Sequence, residues 1–221
     1  MIRQRIRIRF AKQDDLRWLS HRDLLRTWER LIRRANLPLS MTEGFHPKPR
    51  MNFPSALAVG ITGLDEVVEL ELCEERTAEG LIEQLPPLCP PGLIIHGVEI
   101  VPEGTRKPHV RSVTFEIPVP VERRPALLEK IDALLAETSH IVTREQRTEP
   151  LDIRPWIEEL KIIDGTLQMR LHVQHEGSAR PREILEALAV ADLEMELGAR
   201  LIRTRVELHA ENPLLEKGLT T

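Results

Sequence analysis

Residues 5–10 read RIRIRF and residues 20–23 read SHRD, and these two stretches decide the fold of the chain. In the first, isoleucine or phenylalanine alternates with arginine, which is the period-two pattern of a β-strand with one apolar face. In the second, a serine precedes an acidic residue by three positions, as is typical of a helix N-terminus. The helix is predicted to run to about Ala35, because the pair Leu37-Pro38 ends it.

This strand and helix open a longer order of elements within residues 1–104. A loop bounded by short strands is predicted at residues 39–53, followed by a strand at 67–73, a helix at 77–85 and a strand at 93–101. The resulting order, β-α-β-β-α-β, is the ferredoxin-like pattern.

The same order recurs over residues 112–210, after a linker at 105–111, and a tail at 211–221 ends the chain. The predicted elements are a strand at 113–121, a helix at 125–137, a strand that begins at 141–144, a type I′ hairpin at Asp164-Gly165, a helix at 181–189 with Ser178 as a candidate cap, and a strand at 201–208. We therefore predict an α+β fold made of two tandem ferredoxin-like (βαββαβ) halves.

Composition narrows the class of protein. The 221 residues are 41% hydrophobic and 30% charged, an ordinary globular balance. No apolar run approaches the ~18 residues that cross a bilayer, so no membrane is expected. The N-terminus lacks the apolar stretch of a signal peptide, which favours a cytoplasmic protein. Cys73 and Cys89 are too few for a zinc site or an iron–sulfur cluster by themselves, and we predict no cofactor.

Charge is distributed unevenly along the chain. Residues 1–50 hold 13 Lys and Arg against 5 Asp and Glu, whereas the other 171 residues hold 18 against 30. Such asymmetry favours an anionic partner for one face, although the two ends of the chain could also neutralise each other.

The first candidate site is on the predicted helix, where arginines recur every three or four residues opposite the apolar face: Arg22, Arg26, Arg30 and Arg33. Four guanidinium groups in a row can follow a phosphodiester backbone, because each binds two phosphate oxygens at once. The alternative is a solvated face on which Glu29 pairs with Arg26 and Arg33.

The second candidate is the basic face of the first strand, formed by Arg5, Arg7 and Arg9. A ferredoxin-like sheet leaves one face open, and RNA-recognition modules use that face as a platform. The alternative is a charge ladder, since Glu69 and Glu71 are predicted to project to the same face from the neighbouring strand.

The third candidate is the loop at residues 43–50, which two prolines stiffen. Phe45 and His46 could stack on bases, while Lys48 and Arg50 contact phosphate. The alternative is that Phe45 plugs the core and the prolines only shape a turn.

His21 is a candidate general base, because a helix N-terminus favours the neutral imidazole. Together with His46 it could support metal-independent RNA cleavage, and the alternative is a structural hydrogen bond. No pair of histidines has the i, i+4 spacing typical of a metal site, so none is predicted.

A secondary anion site is predicted from arginines beside prolines that start helices: Arg154, Arg180 and Arg182. The alternative is that Asp152 and Arg154 fix a turn or the seam between the halves.

Several of these runs resemble the radical SAM-linked domain of unknown function. The densest matches are LRWLSHRDL at 16–24, RRANLP at 33–38 and EGFHP at 43–47, followed by Pro49. The pattern continues at Pro54, Leu57, Gly60, Asp152-Ile153-Arg154-Pro155, Arg180-Pro181 and Arg203-Thr204. The family usually has Asn where this chain has His46.

The resemblance implies a cobalamin-binding radical SAM protein as partner, because members extend such proteins or are encoded near them. It also implies RNA of the tRNA or rRNA class, since ribosomal protein and ribonuclease genes are common neighbours. The chain lacks the CxxxCxxC cluster motif, so radical chemistry would belong to the partner.

We therefore predict an RNA-binding accessory module without catalytic activity of its own. Two alternatives stay open: a metal-independent RNA endonuclease that uses His21, and a protein-interaction domain that docks the radical SAM partner. All three need the same cations, so the sequence does not choose among them.

Overall fold

The computed structural model describes residues 3–145, 147, 149–174, 177–196 and 200–209. The four helices among them are α1 His21–Arg34, α2 Ala78–Gln84, α3 Arg124–Ala136 and α4 Pro181–Ala187. The strands are β1 Gln4–Lys12, β2 Met51–Asn52, β3 Thr62–Leu72, β4 Leu93–Val101, β5 Val110–Pro118, β6 Ile141–Val142, β7 Leu151–Asp152, β8 Ile157–Ile163, β9 Thr166–Gln174, β10 Gly177–Ser178 and β11 Ile202–Leu208.

One nine-stranded, mostly antiparallel sheet organises this α+β fold. In its first part β1 pairs antiparallel with both β3 and β4, and the short β2 pairs with β3. In its second part β5 pairs antiparallel with both β9 and β11, and β8 pairs with β9. The two parts join where β11 runs parallel to β3, through the pairs Ile202–Thr62 and Arg203–Gly63.

The opening strand and helix form as their patterns predict. Ser20 is the N-cap of α1, where its Oγ accepts a hydrogen bond from the main-chain N–H of Asp23 at 3.2 Å. The turn between β8 and β9 has positive φ at both Asp164 (49°) and Gly165 (80°), as a type I′ turn requires.

Two local predictions in the second part are wrong. Ser178 is not the cap of α4, because it lies in β10 and Arg180 occupies the cap position. The Glu183 side chain accepts from the Arg180 main-chain N–H at 2.8 Å and so satisfies a donor at the helix start. The strand from residue 141 covers only β6, which pairs with β7 apart from the main sheet. The predicted tail at 211–221 lies outside the described residues.

Two hydrophobic cores lie on the sheet. In the first, the apolar residues of β1 pack beneath Leu24 and Trp28 of α1, and the Phe10 and Trp28 rings meet edge to face at 5.0 Å. The second core gathers residues of β5, β9, α3 and α4. None of the described helices is both long and apolar enough to cross a membrane.

A buried polar cluster, Lys12, Glu66 and Arg203, lies where the two parts of the sheet join. Arg203 is 3% exposed and donates from two guanidinium nitrogens to the Glu66 carboxylate. Lys12 donates to the Leu19 carbonyl at 2.9 Å. Gly63 makes room for the carboxylate, because a Cβ at that position would lie 2.5 Å from Glu66 Oε1.

Candidate nucleic-acid interface

The arginine face of α1, which consists of Arg22, Arg26, Arg30 and Arg33, is fully on the solvent side. All four residues are exposed, whereas Leu24, Trp28, Leu31 and Ile32 on the opposite side of the helix are buried. Arg22 and Arg33 are eleven residues apart, so the guanidinium groups are distributed over about 17 Å of helix. Because α1 packs with its other side on the sheet, these side chains point away from the molecule.

The arginine face is largely unpaired. Arg26 contacts Asp23 at 3.5 Å, and both side chains are about half exposed, an arrangement worth at most about 1 kcal/mol. Within the described part of the chain, the side chains of Arg22, Arg30 and Arg33 have neither an ion pair nor a hydrogen bond, and Glu29 pairs with neither Arg26 nor Arg33. The predicted pairs of Glu29 with Arg26 and Arg33 therefore do not form, and the four arginines lie on a solvent-exposed face that keeps its positive charge.

The arginines of β1 form ion pairs with carboxylates of the same sheet. Arg5 and Arg7 each reach Glu69 at 2.9 Å, and Arg7 also contacts Glu99 on β4. Arg9 contacts Asp65 at 2.7 Å and donates to the Val206 carbonyl on β11. The cross-strand charge ladder predicted as the alternative is therefore present at Glu69 but not at Glu71, which contacts Arg3 and Arg50, and the ion pairs neutralise much of this face.

Residues 40–50 form a hairpin that projects from the end of β3. Met41 pairs with Pro49, the main-chain N–H of Ser40 donates to the Glu71 carbonyl of β3 at 2.7 Å, and the Ser40 carbonyl accepts from the Arg50 N–H of the opposite arm. At the tip Phe45 is fully exposed, so the prediction that it plugs the core is wrong.

The two cations of the hairpin differ in availability. Arg50 donates to the Met41 carbonyl at 3.2 Å and lies 3.7 Å from Glu71, so it holds the hairpin together. Lys48 is exposed, as is His46. The hairpin therefore presents an aromatic ring, an imidazole and one free ammonium group.

His21 and His46 lie toward opposite ends of β1. Lys12 at the end of the strand binds Leu19, just before His21, whereas Glu43 in the hairpin pairs at 3.7 Å with Arg3, just before the strand. Nine strand residues span about 30 Å. No contact joins the two imidazoles among the described residues, and the His21 ring packs edge to face on Phe53 at 5.4 Å.

Trp18 is an exposed aromatic that the sequence reasoning missed. It ends the 3₁₀ helix Asp14–Trp18, two residues before the cap of α1, and 58% of its surface is exposed. The Arg17 guanidinium carbon lies 4.8 Å from the centre of the indole. The pair Arg17-Trp18 belongs to no periodic apolar pattern, and that was the available sign that the indole is not part of a core.

The arginines of the predicted secondary anion site do not share one place. Arg154 donates to the carbonyls of Leu135, Glu137 and Ile157 and so closes the C-terminus of α3. Arg180 and Arg182 line a groove of about 260 Å³, in which Arg182 pairs with Glu186 at 3.2 Å.

Asp152 fixes the turn that carries Arg154. Its Oδ1 accepts from the main-chain N–H of His140 at 2.8 Å and of Arg154 at 3.0 Å. Desolvation acts to raise the pKa of Asp152, but these hydrogen bonds outweigh it and hold the pKa below its ordinary value. This is the turn-fixing role that the sequence left open for the motif.

The described side chains contain no group of three or more His, Cys, Asp or Glu placed to hold a metal ion. The comparison with curated proteins gives no match. Among solved structures, a protein described as "Crystal Structure of an Unknown Protein from Galdieria sulphuraria" aligns with 94% of this chain and 99% of its own at 15% identity, with a TM-score of 0.26.

The fold and the surface together define an α+β protein whose helix α1 carries a largely unpaired basic face. A model of the family described as "Uncharacterized protein conserved in bacteria (DUF2344)" matches residues 5–181. The chain belongs to that family. The matched range contains α1, the 40–50 hairpin and the turn at Asp152.

Proposed function

We propose that this protein binds RNA along the arginine face of α1. The observation that carries the proposal is that four exposed arginines share one helix face and that, among the residues the structure describes, only Arg26 has a carboxylate partner. Unpaired guanidinium groups gain most from phosphate, since they give up no existing ion pair when they bind it.

The hairpin supports the choice of a nucleic acid over a generic anion. Phe45 is exposed at its tip beside His46 and Lys48, and exposed aromatic rings stack on unpaired bases with a gain of about 1–3 kcal/mol per base. The hairpin is already fixed to β3 by main-chain hydrogen bonds, so it loses little conformational freedom when it binds a ligand. We propose RNA of the tRNA or rRNA class, on the family resemblance.

The chain acts in this proposal as an accessory module and not as a catalyst. The separation of His21 from His46 gives the endonuclease alternative no support from geometry. A cobalamin-binding radical SAM protein in the cytoplasm is the partner that we propose, and this part rests on the resemblance alone.

The fold that presents the RNA is proposed to be a tandem of two ferredoxin-like halves. The strand order β2-β3-β1-β4 in one part and β8-β9-β5-β11 in the other supports this, since each is antiparallel throughout. In each part a helix follows the first strand and another precedes the last.

Filter binding with labelled tRNA and rRNA fragments in EDTA tests the proposal. We expect binding at low salt that weakens as salt rises, and a loss of at least about tenfold for the double variant Arg26→Glu/Arg30→Glu. Lys130→Glu on the exposed face of α3 is the matched control and keeps the affinity.

Absence of binding at low salt, or binding that salt does not weaken, would overturn the proposal. Co-purification of a protein partner that survives nuclease treatment and is lost in Arg26→Glu/Arg30→Glu would assign the face to protein docking. Cleavage in EDTA that His21→Ala abolishes would instead support the endonuclease.

A further inference from the structure

Trp18 stands at the N-terminal end of the arginine face. It precedes Arg22 by four positions, so the two Cα atoms are at most about 14 Å apart. The other two tryptophans are buried, Trp28 at 0% and Trp156 at 5% exposure, whereas Trp18 is 58% exposed. A large aromatic surface in this position has no role in either core.

The indole is held in place by its surroundings. The Gly60 N–H donates to the Arg17 carbonyl at 2.9 Å, and a Cβ on Gly60 would come within 3.1 Å of Trp18 Cζ3. Gly60 has φ of +89°, a conformation that suits glycine, so the backbone can approach the ring closely. Trp18 is thereby a fixed platform, which loses little freedom on binding a ligand.

The charges next to the platform favour a nucleotide. Arg17 lies over the ring at 4.8 Å, and guanidinium groups stack on bases as well as on indole. Arg22 and Arg26 follow within two helical turns and can hold the phosphates on one side of that nucleotide. A nucleotide could therefore stack its base on the Trp18 ring while its phosphate binds the arginines of the helix.

We propose that Trp18, together with Arg17, stacks an unpaired base of the RNA that lies along the arginine face. This inference rests on the proposed RNA binding and sharpens it. The bound RNA is single-stranded at the N-terminal end of α1, because bases inside a duplex do not offer their faces.

Tryptophan fluorescence of the full chain tests the platform, with a twelve-nucleotide oligouridylate and a blunt RNA duplex as probes. We expect the oligouridylate to quench the exposed tryptophan while the duplex does not. Trp18→Ala should lose about 5- to 100-fold in affinity for the oligouridylate. Trp18→Phe should keep most of the affinity and lose the quenching, because it retains a ring but removes the reporter. The matched control is Ile163→Ala, which truncates an exposed apolar residue in the second part of the sheet. It should change neither the affinity for the oligouridylate nor the quenching.

The outcomes separate the two proposals. If the oligouridylate binds in a way that depends on Arg26 and Arg30 but neither quenches fluorescence nor responds to Trp18→Ala, the stacking platform is overturned and RNA binding stands. Equal quenching by the duplex also overturns the platform. If no RNA binds at low salt, both proposals fall.

Discussion

The arginines of the first fifty residues differ in whether they form ion pairs, and the presence or absence of a neighbouring carboxylate decides which of them do. Arg7 faces Glu69 in register on the neighbouring strand, and the period-two pattern of both strands is enough to predict that pair. Arg30 has no such partner on its helix or beside it in the described chain. The role of Arg50 was not predictable, because its contact with Glu71 depends on how the hairpin docks on β3.

The buried cluster at the join makes stability depend on pH. Burial lowers the pKa of Lys12, more than the Glu66 carboxylate raises it, and Arg203 lowers it further because two cations share one carboxylate. The cost of burying the charge is present in full below this lowered pKa. It is relieved as pH rises toward the ordinary value of 10.5.

We therefore expect the free energy of unfolding of the wild type to rise, relative to Lys12→Met, as pH increases toward 10.5. Urea denaturation of both proteins across alkaline pH measures the difference. Lys130→Met on the exposed face of α3 serves as control and should run parallel to the wild type. A difference between wild type and Lys12→Met that stays constant with pH would contradict this account of the cluster.

Among the secondary-structure elements, the bounds of long periodic segments can be predicted from the sequence. Whether a short segment forms regular structure cannot. Helix α1 begins at the predicted cap and β4 has the predicted limits. The segment at 39–53 was predicted as a loop bounded by short strands, but its docking was not predicted, because it depends on hydrogen bonds with Glu71 of β3, about twenty to thirty positions away. Phe45 was therefore a candidate from the sequence, but the structure was needed to show that its ring is exposed.

The two phenylalanines around the hairpin should respond oppositely to truncation. Phe45→Ala should change the free energy of unfolding by less than about 0.5 kcal/mol, because the side chain has no contact to lose, and should weaken RNA binding. Phe53→Ala should cost about 2 kcal/mol, since its ring packs on Phe10 and His21. Urea denaturation and filter binding of both variants check this. Comparable destabilisation by the two changes would contradict the exposure of Phe45.

At the scale of the whole molecule, one sheet carries two cores. The β11–β3 pairing and the Arg203–Glu66 ion pair join segments 137 residues apart in sequence. The period-two pattern indicates which face of each strand is buried, but not which distant strands pair. The pairing of β11 with β3 could therefore not be predicted from one sequence. The join also makes the parts share backbone hydrogen bonds and a buried charge pair.

This arrangement predicts a single cooperative unfolding transition. The variant Trp18→Phe/Trp156→Phe keeps Trp28 as a fluorescent reporter of unfolding in the first core. The variant Trp18→Phe/Trp28→Phe keeps Trp156 as the reporter in the second core. Within each variant, fluorescence and far-UV circular dichroism should give the same urea midpoint. A fluorescence midpoint separate from the dichroism midpoint in either variant would mean that the parts unfold independently.

If the arginine face of α1 holds the RNA backbone, as we propose, the salt dependence of binding reports how many phosphates it contacts. Each phosphate contact on a single strand contributes about 0.7 to the slope of log Kd against log salt. Replacing Arg22, Arg26, Arg30 and Arg33 together by Gln should therefore lower the slope for oligouridylate by about 2.8. Replacing the exposed Arg111 and Lys130 by Gln should leave it unchanged. A slope that is the same in the wild type and in the fourfold variant would contradict the claim.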